Sequence, residues 1–197
     1  MGTDPGLRER KKQKTRGTIQ EHALRLIAAQ GYDATTVDQI AAAAEISPST
    51  FFRYFKSKED VVIEDDYDPI MMAEFLAAPA ELPPVAAFRY ALREAMSKLT
   101  EDELRRVWER TQLQLSVPAL RARSLENFLS TRDMIGEAIA QRTGRRATDL
   151  EVRSYAGALM GVLLAALLDW YEAGGKPQMV DVVDSALAHL EAGLPLS

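Results

Sequence analysis

The composition of this 197-residue chain excludes several classes of protein before any motif is considered. Because the chain has no cysteine, disulfides, thiolate catalysis and cysteine-ligated zinc are excluded, and a cytoplasmic protein is predicted. Hydrophobic residues make up 47% of the chain, enough for the core of one domain or of two small ones. The N-terminal stretch is basic and polar, so no signal peptide is predicted.

The net charge of −5 is unevenly distributed along the chain. Residues 1–58 carry ten Lys or Arg and six Asp or Glu, a net +4, whereas residues 59–197 carry fourteen and twenty-three, a net −9. The basic excess is densest in residues 7–16, LRERKKQKTR, with six basic residues and one acid. A mobile basic arm over residues 1–17 that contacts a polyanion is predicted, with a solvated helix start or an expression remnant as the alternatives.

A supporting helix and a short second helix are predicted next. Residues 18–30 have an apolar stripe made of Ile19, Ala23, Leu26 and Ile27. Gly31 ends this helix as a C-cap glycine. Thr36 and Gln39 then have the spacing of a capping box, in which each side chain bonds to the backbone N–H of the other residue. A helix is therefore predicted to begin just after Thr36.

A third short helix is predicted after a tight turn. Ser47 caps it and Pro48 occupies its first position, where the missing N–H has no cost. The helical period places Phe51, Tyr54 and Phe55 on the inward face. The outward face carries Ser49, Phe52, Arg53 and Lys56. Such a helix, held at an angle by a tight turn, suits the major groove of DNA, and the alternative is a helical hairpin whose exposed residues are solvated.

Each outward side chain has a predicted contact. Arg53 suits a guanine edge or a phosphate, and Phe52 suits a thymine methyl group. Lys58 begins a further helix, where the free N–H groups and the helix dipole favour a phosphate. With this motif beside it, the basic arm is also predicted to contact DNA. The predicted DNA-binding residues are Arg16, Thr36, Ser47, Pro48, Ser49, Thr50, Phe52, Arg53, Tyr54, Lys56 and Lys58.

The segments GYDATTVDQIAAAAEIS and TFFRYFKSKED resemble the N-terminal domain of TetR-family transcriptional repressors. The resemblance implies an all-α protein, with an N-terminal three-helix helix-turn-helix DNA-binding domain and a C-terminal helical effector-binding and dimerisation domain. The family usually has a tyrosine where this chain has Phe52, and that hydroxyl often meets a phosphate, a bond that Phe52 lacks. Tyr54 and Lys58 match positions that commonly contact the DNA backbone. The predicted domains are residues 1–17, 18–64 and 65–197.

The rest of the chain is predicted to be helical, without strands. The predicted segments are 61–78 with a kink or break at Asp68–Pro69, and a linker at 79–84. Helices are predicted at 85–99, 100–116, 125–142, 150–171 and 179–190, and a further segment is predicted to begin at Pro118. The most apolar segment, 150–171, contains an uncharged run shorter than the roughly 20 residues needed to span a bilayer, so a buried helix and no membrane contact are predicted. The last two helices of two chains are predicted to form a four-helix bundle across a two-fold axis, giving a homodimer.

Through the head segments RERKK and FFRYFKSKEDVV and the overall layout of helices, the chain resembles the TetR subgroup with acyl-CoA-like ligands, including mycofactocin-associated regulators. That resemblance implies a small-molecule effector that lowers DNA affinity. An apolar pocket is predicted, with arginines near its mouth, although core packing alone also explains its aromatic residues. The predicted effector-binding residues are Phe88, Arg106, Trp108, Leu113, Phe128 and Ile135.

Two functions from other classes remain as alternatives to a homodimeric, ligand-responsive repressor. One is a helical enzyme that uses the carboxylates of Glu64, Asp65 and Asp66, and the other is a helical protein-interaction adaptor. The chain has no phosphate-binding glycine loop and only two histidines, His22 and His189, so no catalytic residue, cofactor or metal is predicted.

Overall fold

The computed structural model describes residues 5–64 and 67–196. Within these ranges the chain is helical and contains no strand, which confirms the predicted all-α class. The helices there are α1 Pro5–Gln30, α2 Val37–Ala43, α3 Pro48–Tyr54, α4 Lys58–Ile63, α5 Tyr67–Ala77, α6 Pro84–Ser97, α7 Glu101–Ser116, α8 Pro118–Thr143, α9 Leu150–Glu172 and α10 Met179–Glu191. They form two compact units, residues 1–64 with 113–124, and residues 65–112 with 125–197.

The first unit surrounds two small cores. One consists of Ile19, Ala23, Ile40, Ala41, Phe51, Phe55 and Val61, contributed by the first four helices and the residues that follow α3. The other consists of Ile27, Tyr32, Val62, Ile63 and Leu120, with Leu113 packed against it. The division between the units after residue 64 coincides with the predicted boundary, but residues 113–124, which were predicted to belong to the C-terminal domain, complete a core of the N-terminal unit.

Part of the predicted basic arm is helical. Helix α1 begins at Pro5 and continues without a break to Gln30, so residues 5–17 are the start of a helix, one of the alternatives to a mobile arm. Residues 1–4 lie outside the described residues. Gly31 follows with φ of +86° and donates its N–H to the Ile27 carbonyl at 2.8 Å, as predicted for a C-cap glycine.

The break after the DNA-reading motif precedes the predicted kink. Helix α4 ends at Ile63, and Glu64 is extended, with ψ of 129°. Helix α5 begins at Tyr67, so Pro69 lies in its first turn, where a proline removes no intrahelical hydrogen bond. The predicted kink at Asp68–Pro69 is therefore wrong by a few residues.

The second unit has one core, to which α5, α6, α8, α9 and α10 contribute. The predicted linker joins α5 to α6, and the Arg142 guanidinium donates to the Ala78 and Leu82 carbonyls at 3.0 and 3.1 Å. The segment predicted to begin at Pro118 and the helix predicted at 125–142 form one continuous helix, α8.

Helix α9 contains the segment 150–171 that was predicted to be a buried helix. It is long and apolar enough to cross a membrane, with a mean hydropathy of 1.4 over its most apolar window, of which 28% is buried. Its buried residues include Ala156, Leu159 and Met160, which belong to the core of the second unit.

Candidate nucleic-acid interface

Two side-chain caps and a tight turn set the geometry of α2 and α3. Thr36 Oγ1 accepts from the Gln39 N–H at 3.2 Å, and Gln39 Oε1 accepts from the Thr36 N–H at 3.0 Å, which is the predicted capping box. Glu45 makes the turn with φ of +54°. Ser47 Oγ then accepts from the Thr50 N–H at 3.1 Å, with Pro48 at the first helical position. These caps satisfy backbone donors that a short helix would otherwise leave free.

Helix α3 is divided into an inward and an outward face, as the helical period predicts. Phe51 and Phe55 are 0% and 1% exposed, and Tyr54 is partly buried against the same core. The outward side chains are exposed: Ser49, Phe52, Arg53 and, just after the helix, Lys56. We call these four residues the outer face of α3. They combine a hydroxyl, an aromatic ring and two cations on one accessible surface.

Three hydroxyl groups gather at the start of α3. Ser47 Oγ lies 2.8 Å from Ser49 Oγ and 2.9 Å from Thr50 Oγ1. Hydroxyl groups donate and accept, so this trio can reorient towards phosphate or base atoms without losing its cap. The predicted DNA contacts of Ser47, Pro48, Ser49 and Thr50 remain predictions, and the structure places all four at one end of the helix.

Lys58 is bound within the protein. Its Nζ donates to the carbonyl oxygens of Tyr32 and Thr35 at 2.8 and 2.9 Å and lies 3.9 Å from the centre of the Tyr32 ring. This clamp holds the loop that leads to the Thr36 cap. Sequence spacing did not reveal it, because the partners lie 23 and 26 residues away. The predicted phosphate contact of Lys58 remains a prediction alongside this role.

Arg16 is also engaged inside the first unit. Its guanidinium donates to the Tyr54 carbonyl at 3.3 Å and to Glu64 Oε2 at 2.8 Å, and lies 4.4 Å from the centre of the Phe55 ring. The arginine therefore joins α1 to the end of α3 and to the residue after α4. Its predicted DNA contact remains a prediction. The proposed catalytic carboxylate of Glu64 is ion-paired here, and Asp65 and Asp66 lie outside the described residues.

Tyr32 and Glu59 form a further pair that sequence analysis missed. The Tyr32 hydroxyl donates to Glu59 Oε1, and burial together with this bond raises the pKa of Tyr32 above its usual range. Burial raises the pKa of Glu59, but the bonds from Tyr32, from the Glu59 backbone and from Ser57 outweigh it, and the net shift is downward. This hydrogen bond joins α4 to the loop between α1 and α2, the same loop whose carbonyl oxygens accept from Lys58.

The six predicted effector residues have different local surroundings. Phe88 and Ile135 lie in the core of the second unit, 3% and 2% exposed, with Phe128 packed against them. Trp108 instead meets Trp170 edge to face, with ring centres 4.8 Å apart. Leu113 packs against the second core of the first unit, and Arg106 is exposed; the effector contacts of all six residues remain predictions. Apolar residues at helical spacing are predicted to be buried, but their spacing does not indicate which core they join.

Three cavities in the second unit are lined by other residues. One of about 370 Å³ lies between α8 and α9 beside Arg132 and Arg153. Another of about 460 Å³ lies beside Met96 and Leu104, and a third of about 580 Å³ runs between α9 and α10. None of these three contains a predicted effector residue in its lining. Within residues 5–64 and 67–196, no group of three or more His, Asp or Glu is placed to hold a metal ion.

A short capped helix that exposes cations and hydroxyls, set by a tight turn against a closed core, defines a helix-turn-helix DNA-binding unit. Comparison with protein families agrees with this geometry. Residues 19–64 match bacterial regulatory proteins of the tetR family, and residues 82–195 match the MftR C-terminal domain. The chain belongs to the TetR family of bacterial transcriptional regulators, which confirms the resemblance found in the sequence.

Two relatives show how far the similarity extends. The HTH-type transcriptional regulator TcmR of Streptomyces glaucescens is 42% identical over 102 residues, which are 51% of this chain and 45% of TcmR. The chain thus matches less than half the length of that relative. MftR of Mycobacterium tuberculosis, named for regulation of mycofactocin biosynthesis, is 30% identical over 164 residues, 82% of each chain.

Solved structures share the fold at lower identity. Thermus thermophilus FadR, a TetR-family repressor in complex with lauroyl-CoA, has a TM-score of 0.57 and 24% identity over 92% of this chain and 96% of FadR. The SmeT–triclosan complex has a TM-score of 0.58 and 21% identity over 91% of each chain. Both similarities support the two-part helical architecture of this chain.

Proposed function

We propose that the protein is a cytoplasmic homodimeric repressor that leaves its operator when a small-molecule effector, such as an acyl thioester of coenzyme A or another ligand with an apolar part, binds the second unit. The observation that carries the proposal is the outer face of α3, whose hydroxyl, ring and cations are exposed while the opposite face of the helix is closed. None of those four side chains is part of the two described cores of the first unit. A DNA major groove supplies partners for all of them.

Charge supports the same assignment. The +4 of residues 1–58 lies in the part of the chain that carries α3, and the −9 of the remainder would repel DNA phosphates. A regulator of this kind should therefore approach DNA with its first unit only. Each phosphate contact releases counterions, so the affinity of the regulator for DNA should fall steeply as the salt concentration rises. A protein-interaction adaptor would show no such salt-dependent affinity for DNA.

The exposed side of α9 supports a homodimer. Ala158, Gly161, Leu164 and Ala165 are exposed there, although the helix is otherwise apolar. A Cβ added at Gly157 or Gly161 would meet nothing within 4 Å, so another helix has room to approach closely. The cavity of about 580 Å³ between α9 and α10 continues this apolar surface. A second copy of the chain, related by a two-fold axis, would cover these residues on both partners at once.

The effector class is proposed from the family and from the second core. Residues 82–195 match the MftR C-terminal domain, and the FadR structure of the same fold holds lauroyl-CoA. Phe88, Phe128 and Ile135 lie together in a core that five helices share. Separation of these helices around a lipophilic ligand would replace side-chain contacts with ligand contacts.

The test begins with capture of genomic fragments on the purified protein at physiological salt, followed by sequencing. A shared inverted repeat is expected, with half-sites one helical turn or more apart. Acyl-CoA thioesters of increasing chain length, with free coenzyme A as the control, are then titrated against the bound repeat. If the acyl-CoA thioesters release the protein from the repeat and free coenzyme A does not, the effector class is supported. Recovery of fragments without a common sequence would contradict the repressor assignment.

A further inference from the structure

We infer that Phe52 reads the methyl group of a thymine in the major groove and thereby sets a T·A preference at one position of each operator half-site. The inference rests on the proposed operator binding and deepens it. It concerns the one residue of the outer face of α3 that carries neither charge nor hydrogen-bonding group.

Phe52 is far more exposed than its aromatic neighbours. Its side chain is 55% exposed, whereas Phe51 and Phe55 are 0% and 1% exposed. It stands on the outward side of α3, next to the exposed Arg53. An aromatic ring left in water contributes little to the core, and covering it with an apolar partner is favourable. The position of the ring therefore favours a partner that lies outside the chain.

The ring is also held in place. Phe51 and Phe52 meet edge to face, with ring centres 5.4 Å apart and ring planes at 86°. Since Phe51 is fully buried, this contact anchors the base of the exposed ring to a fixed part of the core. A side chain that is already oriented loses less conformational freedom when it meets its partner, so more of the contact energy appears as affinity.

Chemistry selects the base. Phenylalanine has no donor or acceptor for a phosphate or for the polar edge of a base. In the major groove, thymine presents a C5-methyl group, whereas guanine, adenine and cytosine present acceptors and donors at their edges. Apolar contact with that methyl group is the one direct readout available to the ring. The cations beside it, Arg53 and Lys56, can meet polar atoms on either side.

The test uses the inverted repeat recovered by genomic capture, synthesised with deoxyuridine in place of thymidine at one symmetric position at a time. This change removes only the methyl group and preserves base pairing. At one position we expect the affinity of the unaltered protein to fall about fourfold per half-site, the effect of withdrawing one buried methyl group. Phe52→Ala should bind the thymine duplex more weakly and lose the difference between thymine and uracil.

Two variants serve as controls. Arg53→Ala should weaken binding but keep the thymine preference, since it leaves the ring in place. Phe52→Leu keeps an apolar side chain and should keep part of the preference. Because residues 52 and 53 are both exposed, all three variants should melt within a few degrees of the unaltered protein.

The outcomes separate this inference from the proposed function. An operator bound equally well with thymine or uracil at every position would overturn the role of Phe52 alone. The same conclusion follows if Phe52→Ala retains the full penalty for uracil, because another group would then contact the methyl. Failure to bind any duplex specifically would overturn the proposed function, and the inference with it.

Discussion

Arg123 on α8 and Asp60 on α4 form an ion pair inside the first unit, with Arg123 Nε donating to Asp60 Oδ1 at 3.0 Å. Asp60 is 2% exposed, and its other carboxylate oxygen has no hydrogen-bond partner among the described residues. Nearby, Gln114 Nε2 donates to the Val62 carbonyl at 3.0 Å. These contacts hold α4, the helix that follows the DNA-reading helix, against residues 113–124.

Removal of Arg123 should destabilise the first unit. Arg123→Ala leaves a buried carboxylate without its charged partner, so the free energy of unfolding should fall by about 2 kcal/mol. Urea denaturation of the full chain measures it. Arg121→Ala is the matched control, because Arg121 is exposed on the same helix. Equal effects of the two variants would show that the pair contributes nothing particular to stability.

Lys58 and Lys56 should differ in how they affect DNA binding. Lys58→Met removes two hydrogen bonds to backbone carbonyls and should lower the free energy of unfolding by about 1.5 kcal/mol. It should weaken DNA binding while leaving the slope of log affinity against log salt unchanged. Lys56→Met should leave stability unchanged and reduce that slope by about one, as expected for loss of one phosphate contact. A reduced slope with unchanged stability in Lys58→Met would instead assign Lys58 to a phosphate.

Asp184 should make the second unit sensitive to acid. Its carboxylate accepts from Arg89 Nε at 2.9 Å and from Arg93 Nη2 at 2.6 Å. The hydrogen bond from Arg89 lowers the pKa of Asp184. Burial acts in the opposite direction, but the hydrogen bond from Arg93 adds to the lowering, and the net shift is downward. The ionised group therefore stabilises the fold above its unfolded pKa of about 3.9, and this contribution is lost as pH falls through the lower folded value.

Comparison of melting curves tests this dependence. At pH 7, Asp184→Asn should be less stable than the unaltered protein by about 1 kcal/mol, and the difference should shrink as the pH is lowered below 4. Asp181→Asn, an exposed position on the same helix, should show no such convergence. A difference that stays constant with pH would contradict a role for the charge of Asp184.

Leu164 should be part of the dimer surface. Leu164→Glu places a charge on the exposed apolar side of α9, where the side chain is 38% exposed in the single chain. An unpaired charge buried in an interface should weaken dimerisation by about 30-fold or more, and operator affinity should fall with it. Leu129→Glu, at an exposed leucine of α8, is the control. Sedimentation velocity measures both, and an unchanged dimer in Leu164→Glu would place the interface elsewhere.

The sequence was sufficient wherever the determining interaction is local. The Thr36–Gln39 capping box, the Ser47 cap and the inward placement of Phe51 and Phe55 all follow from spacings within one helical turn. The family followed from the same stretch. Local patterns of this kind require only helix geometry, so no knowledge of distant contacts was needed.

Tertiary structure decided which groups of the protein bond to Arg16 and Lys58, and which core contains each apolar stripe. Arg16 and Lys58 look like phosphate ligands in the sequence, yet their partners Glu64 and Tyr32 lie 48 and 26 residues away. Leu113 has the pattern of a core residue, and only packing assigned it to the first unit. The physical reason is that a long side chain bonds whatever the fold brings within reach. Helical periodicity sets the direction of a side chain from its own helix, and the partner it meets depends on how the helices pack.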